Sequence, residues 1–393
     1  MNLKQSAPVP VSDALKAEDH FLSFGSMCRT KHYPFEQHKV MTDDGYFLTI
    51  FRIPGRKNES LTDAIAASRP PVLLWHGLMD SADSWIINDE PLAPAFVLAN
   101  QGYDVWVGNS RGNLYSREHR FLDPEHGVDE QEFFDFSFEE FGLHDSNATI
   151  SYILQETGKK KLSVAGVSMG ACQFLVGMMD NLSFYQNTVE VFVMLGPSTI
   201  LNHTENRMFL ALANNDVYID TMKSLRFSEI LPRNQISSLF YTVVCQAIPM
   251  FCELALDQLG EDDKYYNNDR IDEFFAHFPS GTSLKNLEHF TQIIESKRFQ
   301  RFDYGLELNR LIYGADVPPE YDLSKISGMK IVHIVAEEDN TSHPLDNHWL
   351  NTQLGDNVIF YGNYRMGHSS FLLGTDISYL DDVISIFEQH PWS

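Results

Sequence analysis

The sequence predicts an α/β fold in which a mostly parallel sheet is covered by helices on both faces. Three observations carry that prediction. Short runs such as PVLLW (71–75), DVWV (104–107) and LSVA (162–165) are apolar almost throughout, as befits strands buried on both faces. Helical stretches separate these runs, and strand–helix alternation builds parallel sheets. Turn residues such as Pro54-Gly55 and Gly108-Asn109 punctuate them.

Taken in order, Tyr46–Arg52 (YFLTIFR) is the first expected strand, closed by Pro54-Gly55. Pro71–Trp75 is the second, and Asp104–Val107 follows, between Gly102 and Gly108-Asn109. Leu162–Ala165 and Glu190–Leu195 continue the series, with helices expected at Phe138–Gln155 and Ala171–Met179. From about 201 to 311 amphipathic helical segments dominate. Strand character returns at Lys330–Val335 and Val358–Tyr361, before a last helix over Asp376–Glu388. The simplest organisation is a discontinuous core, 1–200 and 311–393, carrying a helical cap over 201–310. Such insertions are where scaffolds of this kind place substrate selection.

The chain has 393 residues, 43% of them hydrophobic and 21% charged, which excludes disordered, collagenous and disulfide-scaffold classes. A formal net charge of −25 repels phosphate backbones and anionic surfaces, so nucleic acid is not an expected partner, while a neutral lipid or a small molecule stays open. Cys28, Cys172, Cys245 and Cys252 are too scattered for a zinc site or disulfide framework. Cys245 and Cys252 are close enough in sequence to pair, and two buried thiols are an equal alternative. No stretch reaches the roughly 20 apolar residues of a membrane span. The N-terminus lacks the apolar centre of a signal peptide. An intracellular chain, or one whose leader is missing, is the expectation. Sequons at Asn58, Asn147, Asn181, Asn202 and Asn340 favour secretion weakly.

Gly166-Val167-Ser168-Met169-Gly170 is a G-x-S-x-G pentapeptide set directly between the strand LSVA and the helical run ACQFLVGMM. A serine hydroxyl is a weak nucleophile and must be presented to a base. A sharp strand-to-helix turn does this, with Gly166 and Gly170 letting the backbone pack closely while Ser168 points outward. The oxyanion of an acyl transfer would then be met by the backbone N–H of Met169 and one from the loop His76-Gly77-Leu78, assigned to Leu78. The base is expected after the last strand, which singles out His368. The acid is expected after the preceding strand, where Glu337, Glu338 and Asp339 compete.

From about His32 onward the chain resembles the acid lipase family of α/β-hydrolases, the group of gastric lipase, lysosomal acid lipase and sterol ester hydrolases. The resemblance rests on HYPFEQHKVMTDDGYFLTIFRIP (32–54), GYDVWVGNSRGNLYSREH (102–119), FFDFSFEEFGLHD (133–145), HFPSGTSLKNLEHFTQIIESKRFQRFDYG (277–305) and MGHSSFLLGTD (366–376). It implies an α/β-hydrolase fold, a catalytic set of Ser168, Asp339 and His368, no cofactor or metal, and a neutral lipid met at an interface without stable membrane insertion. It also implies a secreted or lysosomal setting, with a cytoplasmic, lipid-droplet-associated protein as the alternative. Asp339 is the acid because Pro344 and Asp346 keep register with the family pattern. Val167 and Met169 replace the family's usual His and Gln, and Ala336-Glu337-Glu338-Asp339-Asn340 replaces its Gly-Gly-Asn-Asp-Trp. Asn109, Arg111 and Asn113 are expected to tie loops to the core. Phe133, Phe134, Phe136 and Phe138 are expected to pack helix on sheet. The function this sequence predicts is a lipase-type carboxylic ester hydrolase; the alternatives are a soluble-ester carboxylesterase and a silent lipid carrier.

Overall fold

The computed structural model describes residues 22–60, 62, 67–214, 216–233 and 263–391. Cys245, Cys252 and the apolar run around them lie outside the described residues. The strands are β1 (Glu36–Met41), β2 (Tyr46–Ile53), β3 (Pro71–Trp75), β4 (Asp104–Val107), β5 (Glu118–His119), β6 (Leu162–Val167), β7 (Val189–Leu195), β8 (Glu229–Ile230), β9 (Thr282–Ser283), β10 (Ile331–Ala336) and β11 (Val358–Tyr364). The main sheet runs β1-β2-β4-β3-β6-β7-β10-β11, with β5 beside β2, and β8 and β9 form a separate pair. β2 is antiparallel to β1, β4 and β5. From β4 across to β11 every pairing is parallel.

The alternation of side chains along a strand divides the apolar runs between two cores. Val72, Leu74, Val105, Val107, Ala165, Val193 and Ile334 face one buried cluster, with Phe96 and Phe387 from the helices Pro94–Gln101 and Ser378–Gln389. Leu73, Trp75, Trp106, Val164, Phe192 and Ile331 face the other, with Ile150 and Phe174 from Ser146–Thr157 and Met169–Thr188. This is why the runs read as apolar throughout. Phe133, Phe134, Phe136 and Phe138 are buried in the second cluster, as packing residues.

Some elements differ from the sequence expectation. β1 was not expected, because only Val40 of its six residues is buried and an edge strand shows no apolar run. The helix expected over Phe138–Gln155 contains a π-helical turn, Phe141–Asp145, before Ser146–Thr157. The helix after the pentapeptide extends to Thr188, past a non-helical Asn181. Between β7 and β10 the described residues include the helices Arg207–Ala213, Asp216–Ser224, Ile271–His277 and Leu284–Ser296. Phe209, Ile219, Ile230, Leu284 and Leu287 form a small core of their own there. Among the described residues no helix is long and apolar enough to cross a membrane.

The loop after β4 is fastened by buried polar contacts. Arg111 is 2% exposed, and its guanidinium meets Asp145 Oδ1 at 2.6 Å and Asp44 Oδ2 at 2.5 Å, over the Tyr46 ring. Asn109 accepts from the Ala82 N–H and donates to the Thr49 carbonyl, and Asn113 donates to Asn109. Removing one partner of a buried pair strands the other charge. Arg111→Ala should therefore cost about 3–5 kcal/mol in denaturant unfolding, while joint replacement with Asp145→Leu should cost less. A single-variant loss below about 1 kcal/mol would place the network among weak surface pairs.

Candidate active site

The carboxyl ends of the parallel strands share one edge, where open α/β sheets bind ligands. Gly77 follows β3, Ser168 follows β6, Ser198 follows β7, Asp339 follows β10 and His368 follows β11. Ser168 has φ 56° and ψ −120°, a conformation that costs an ordinary residue about 1–3 kcal/mol. Its surroundings impose it. The Ser168 N–H donates to the Leu195 carbonyl at 2.9 Å, and the helix starts at the next residue. A Cβ on Gly170 would sit 2.6 Å from the His76 carbonyl oxygen, and one on Gly166 would sit 2.6 Å from the Gly170 carbonyl oxygen. Both glycines are required by this close approach.

His368 Nδ1 lies 2.7 Å from Asp339 Oδ2. The other carboxylate oxygen, Oδ1, accepts the N–H groups of Thr341 at 2.8 Å and Ser342 at 2.6 Å. Asp339 is 1% exposed and is aimed by its own loop. Glu338 points elsewhere: Lys264 Nζ at 2.6 Å, with Tyr265 and Arg365, pushes its carboxyl down to about 2. Glu337 is exposed. Of the three candidate acids, the structure brings Asp339 to the imidazole.

Ser168 and His368 line one cavity. Leu78, Met79, Val167 and Leu372 contribute to its wall, as do Met208, Phe209, Phe274 and Phe278 from the segment between β7 and β10. Sequence reasoning missed these four, because nothing in the chain pattern marks which apolar residues of that segment turn towards the core. The N–H groups of Leu78 and Met169 have no protein acceptor recorded among the described residues. Met169 also begins a helix, whose N-terminal N–H groups and dipole favour negative charge. The 76–78 loop is braced by His76, whose Nδ1 faces the Gly77 carbonyl at 2.8 Å and whose Nε2 accepts the Ser110 N–H at 3.0 Å. Burial pushes His76 down to about 4, so its imidazole is neutral. Ser168 Oγ pairs with Ser198 Oγ at 3.0 Å, a partner with no signature in the sequence.

Comparison with known proteins assigns the family. Residues 24–89 match the family described as "Partial alpha/beta-hydrolase lipase region", and residues 70–375 match the alpha/beta hydrolase fold. Gastric triacylglycerol lipase of Bos taurus is 34% identical, over 88% of this chain and 85% of its own. The chain belongs to the acid lipase family of α/β-hydrolases. It is a carboxylic ester hydrolase of the lipase type. Human lipase member K is 32% identical over 91% of this chain and 88% of its own. A solved structure from Sulfolobus solfataricus shares the α/β-hydrolase fold at a TM-score of 0.56 and 15% identity, covering 91% of this chain and 99% of its own.

Asp80 also borders the cavity and is 6% exposed. Its Oδ1 accepts the Ser81 N–H at 2.7 Å and the Ser84 hydroxyl. Burial outweighs those bonds and raises the carboxyl from 3.8 to about 7. Between these two values the folded chain keeps a proton that the unfolded chain releases, so the contribution of Asp80 to stability falls as pH rises. Asp80→Asn keeps the shape without the charge. Its thermal midpoint should gain several degrees on the native value at pH 8 and little at pH 4.5; equal gains at both would contradict the assignment.

Proposed function

We propose that this ester hydrolase is a serine-dependent lipase acting on neutral lipid, a triacylglycerol or sterol ester, through an acyl-enzyme. The observation that carries the reading is the 2.7 Å contact of His368 Nδ1 with Asp339 Oδ2 at the rim of the cavity that Ser168 lines. A carboxylate at Nδ1 keeps the proton on that nitrogen and leaves the Nε2 lone pair for the serine. Ser168 Oγ bonds to the ester carbonyl carbon, its proton passes to His368 Nε2, and the carbonyl π pair moves to oxygen. The Leu78 and Met169 N–H groups meet that oxyanion. Collapse breaks the bond to the alcohol, which leaves with the proton from His368. Water then repeats the sequence on the acyl-enzyme. No step as written calls on a metal or organic cofactor.

Lipid as substrate is supported by the apolar wall of Met79, Met208, Phe209, Phe274, Phe278 and Leu372, and by the relatives named gastric triacylglycerol lipase. In this reading residues 201–310 act as a cap that selects the acyl chain and excludes water. The setting is secreted or lysosomal. A mobility shift on N-glycosidase treatment of the protein from its own cells checks this, and an unglycosylated chain counts against it.

Hydrolysis of emulsified triolein, emulsified cholesteryl oleate and a short soluble ester tests the function. The native chain should hydrolyse an emulsion, and Ser168→Ala should lose several orders of magnitude. Asp339→Asn should lose about a thousandfold or more, by favouring the wrong imidazole tautomer, while Glu337→Gln and Glu338→Gln stay near native. Turnover of the soluble ester alone would indicate a carboxylesterase, and turnover of none a lipid carrier.

A further inference from the structure

The Ser168 hydroxyl is the first of three in a row. Ser168 Oγ lies 3.0 Å from Ser198 Oγ, and Ser198 Oγ is hydrogen-bonded to Ser342 Oγ. The residues come from three loops, after β6, β7 and β10, and are 8%, 3% and 1% exposed. Ser342 is anchored by its backbone, whose N–H donates to Asp339 Oδ1 and whose carbonyl accepts from Asn347 Nδ2, both at 2.6 Å. The row therefore joins the nucleophile to the loop that holds the acid.

A hydroxyl has one proton to donate and two lone pairs to accept with, so the row can run in either of two directions, or Ser168 and Ser342 can both donate to Ser198, which leaves the Ser198 proton with no acceptor among the described residues. If Ser168 donates to Ser198 and Ser198 to Ser342, the Ser342 proton is left in a buried site with no acceptor among the described residues. It would also aim the Ser168 proton away from His368. If Ser342 donates to Ser198 and Ser198 to Ser168, both of those protons are used and the Ser168 proton is left for His368 Nε2. Buried donors are rarely left unused, which selects the second direction.

We propose that Ser198 is a further catalytic residue, one that donates a hydrogen bond to Ser168 Oγ. This rests on the serine mechanism above and adds a group to it. As Oγ bonds to the carbonyl carbon and its proton leaves for His368, Ser198 donates to an oxygen that is gaining negative character, a bond that strengthens on the way to the transition state. Once Oγ is an ester oxygen it is a weaker acceptor, and it becomes a strong one again as it leaves in deacylation, so the bond assists both half-reactions. Ser198 keeps its own proton throughout. Ser342 acts through Ser198 and is a positioning residue.

The test is the second-order rate at which diethyl p-nitrophenyl phosphate inactivates each variant, with peptide mass analysis of the adduct, kcat and KM on a soluble ester, and thermal midpoints. Ser198→Ala should react about tenfold more slowly, the loss of one hydrogen bond to a developing charge, with kcat reduced and KM within about twofold of native. Ser342→Ala should fall between this variant and native, since Ser198 is then no longer oriented. Ser198→Thr keeps the hydroxyl and should recover most of the rate. Ser198→Ala reacting as fast as native, or faster, would overturn the proposal. So would equal losses in Ser198→Ala and Ser198→Thr that follow a lowered thermal midpoint, which would make the role structural. A native chain carrying no adduct on Ser168 would overturn the serine mechanism itself, whereas an adduct on Ser168 at equal rates would overturn only the part given to Ser198.

Discussion

Everything at the active site depends on one strained residue, Ser168, held at φ 56° and ψ −120° where β6 turns into the helix that follows. No single contact imposes that conformation. The helix can start this close to β3 only because Gly166 and Gly170 lack side chains, and the N–H of Ser168 is taken by the end of β7. The strain is sustained by the cooperative stability of the parallel sheet. In return the turn places a hydroxyl, a helix N-terminus and the 76–78 loop around a single point. The proposed attack, the proposed oxyanion contacts and the proposed hydroxyl row all converge there.

Around that turn the molecule uses polar groups of two kinds. Arg111 with Asp44 and Asp145, and Asn109 with Asn113, close loops onto the core and lie outside the cavity lining. His76 does the same work nearer the centre, as a neutral brace rather than a base. The second kind borders the cavity or reaches it through contacts: His368 on Asp339, Ser198 on Ser168, and Asp80 at the wall. A buried polar group is costly unless its partners are supplied. The backbone N–H groups of Thr341 and Ser342 supply them for Asp339, as do Ser81 and Ser84 for Asp80. Loop geometry is in this sense part of the chemistry.

The central strands were legible because each is buried on both faces and so reads as an apolar run; β1 was not, since an edge strand with one buried residue has no such signature. Ser168 was legible because its pentapeptide sits between a strand and a helix, and His368 because it follows the last strand. Chemistry alone could not choose among Glu337, Glu338 and Asp339, which are adjacent carboxylates. The choice came from family register, and the structure separates them by direction, one towards His368 and one towards Lys264. Ser198, Ser342 and the aromatic wall of Phe209, Phe274 and Phe278 were out of reach. Their meeting with Ser168 is set by loops far apart in the chain, and no local pattern encodes it. Asp80 was visible as a residue, but its burial, and therefore its raised carboxyl, was not.

In the proposed mechanism this turn makes Ser168 the group that carries the acyl chain. Rapid acid quenching of p-nitrophenyl butyrate turnover, followed by peptide mass analysis, tests it most directly. A butyryl adduct should appear on Ser168, increase with substrate concentration and be absent from Ser168→Ala, together with loss of p-nitrophenol release by that variant. Release at the native rate by Ser168→Ala, with no adduct on Ser168 in the native chain, would contradict it.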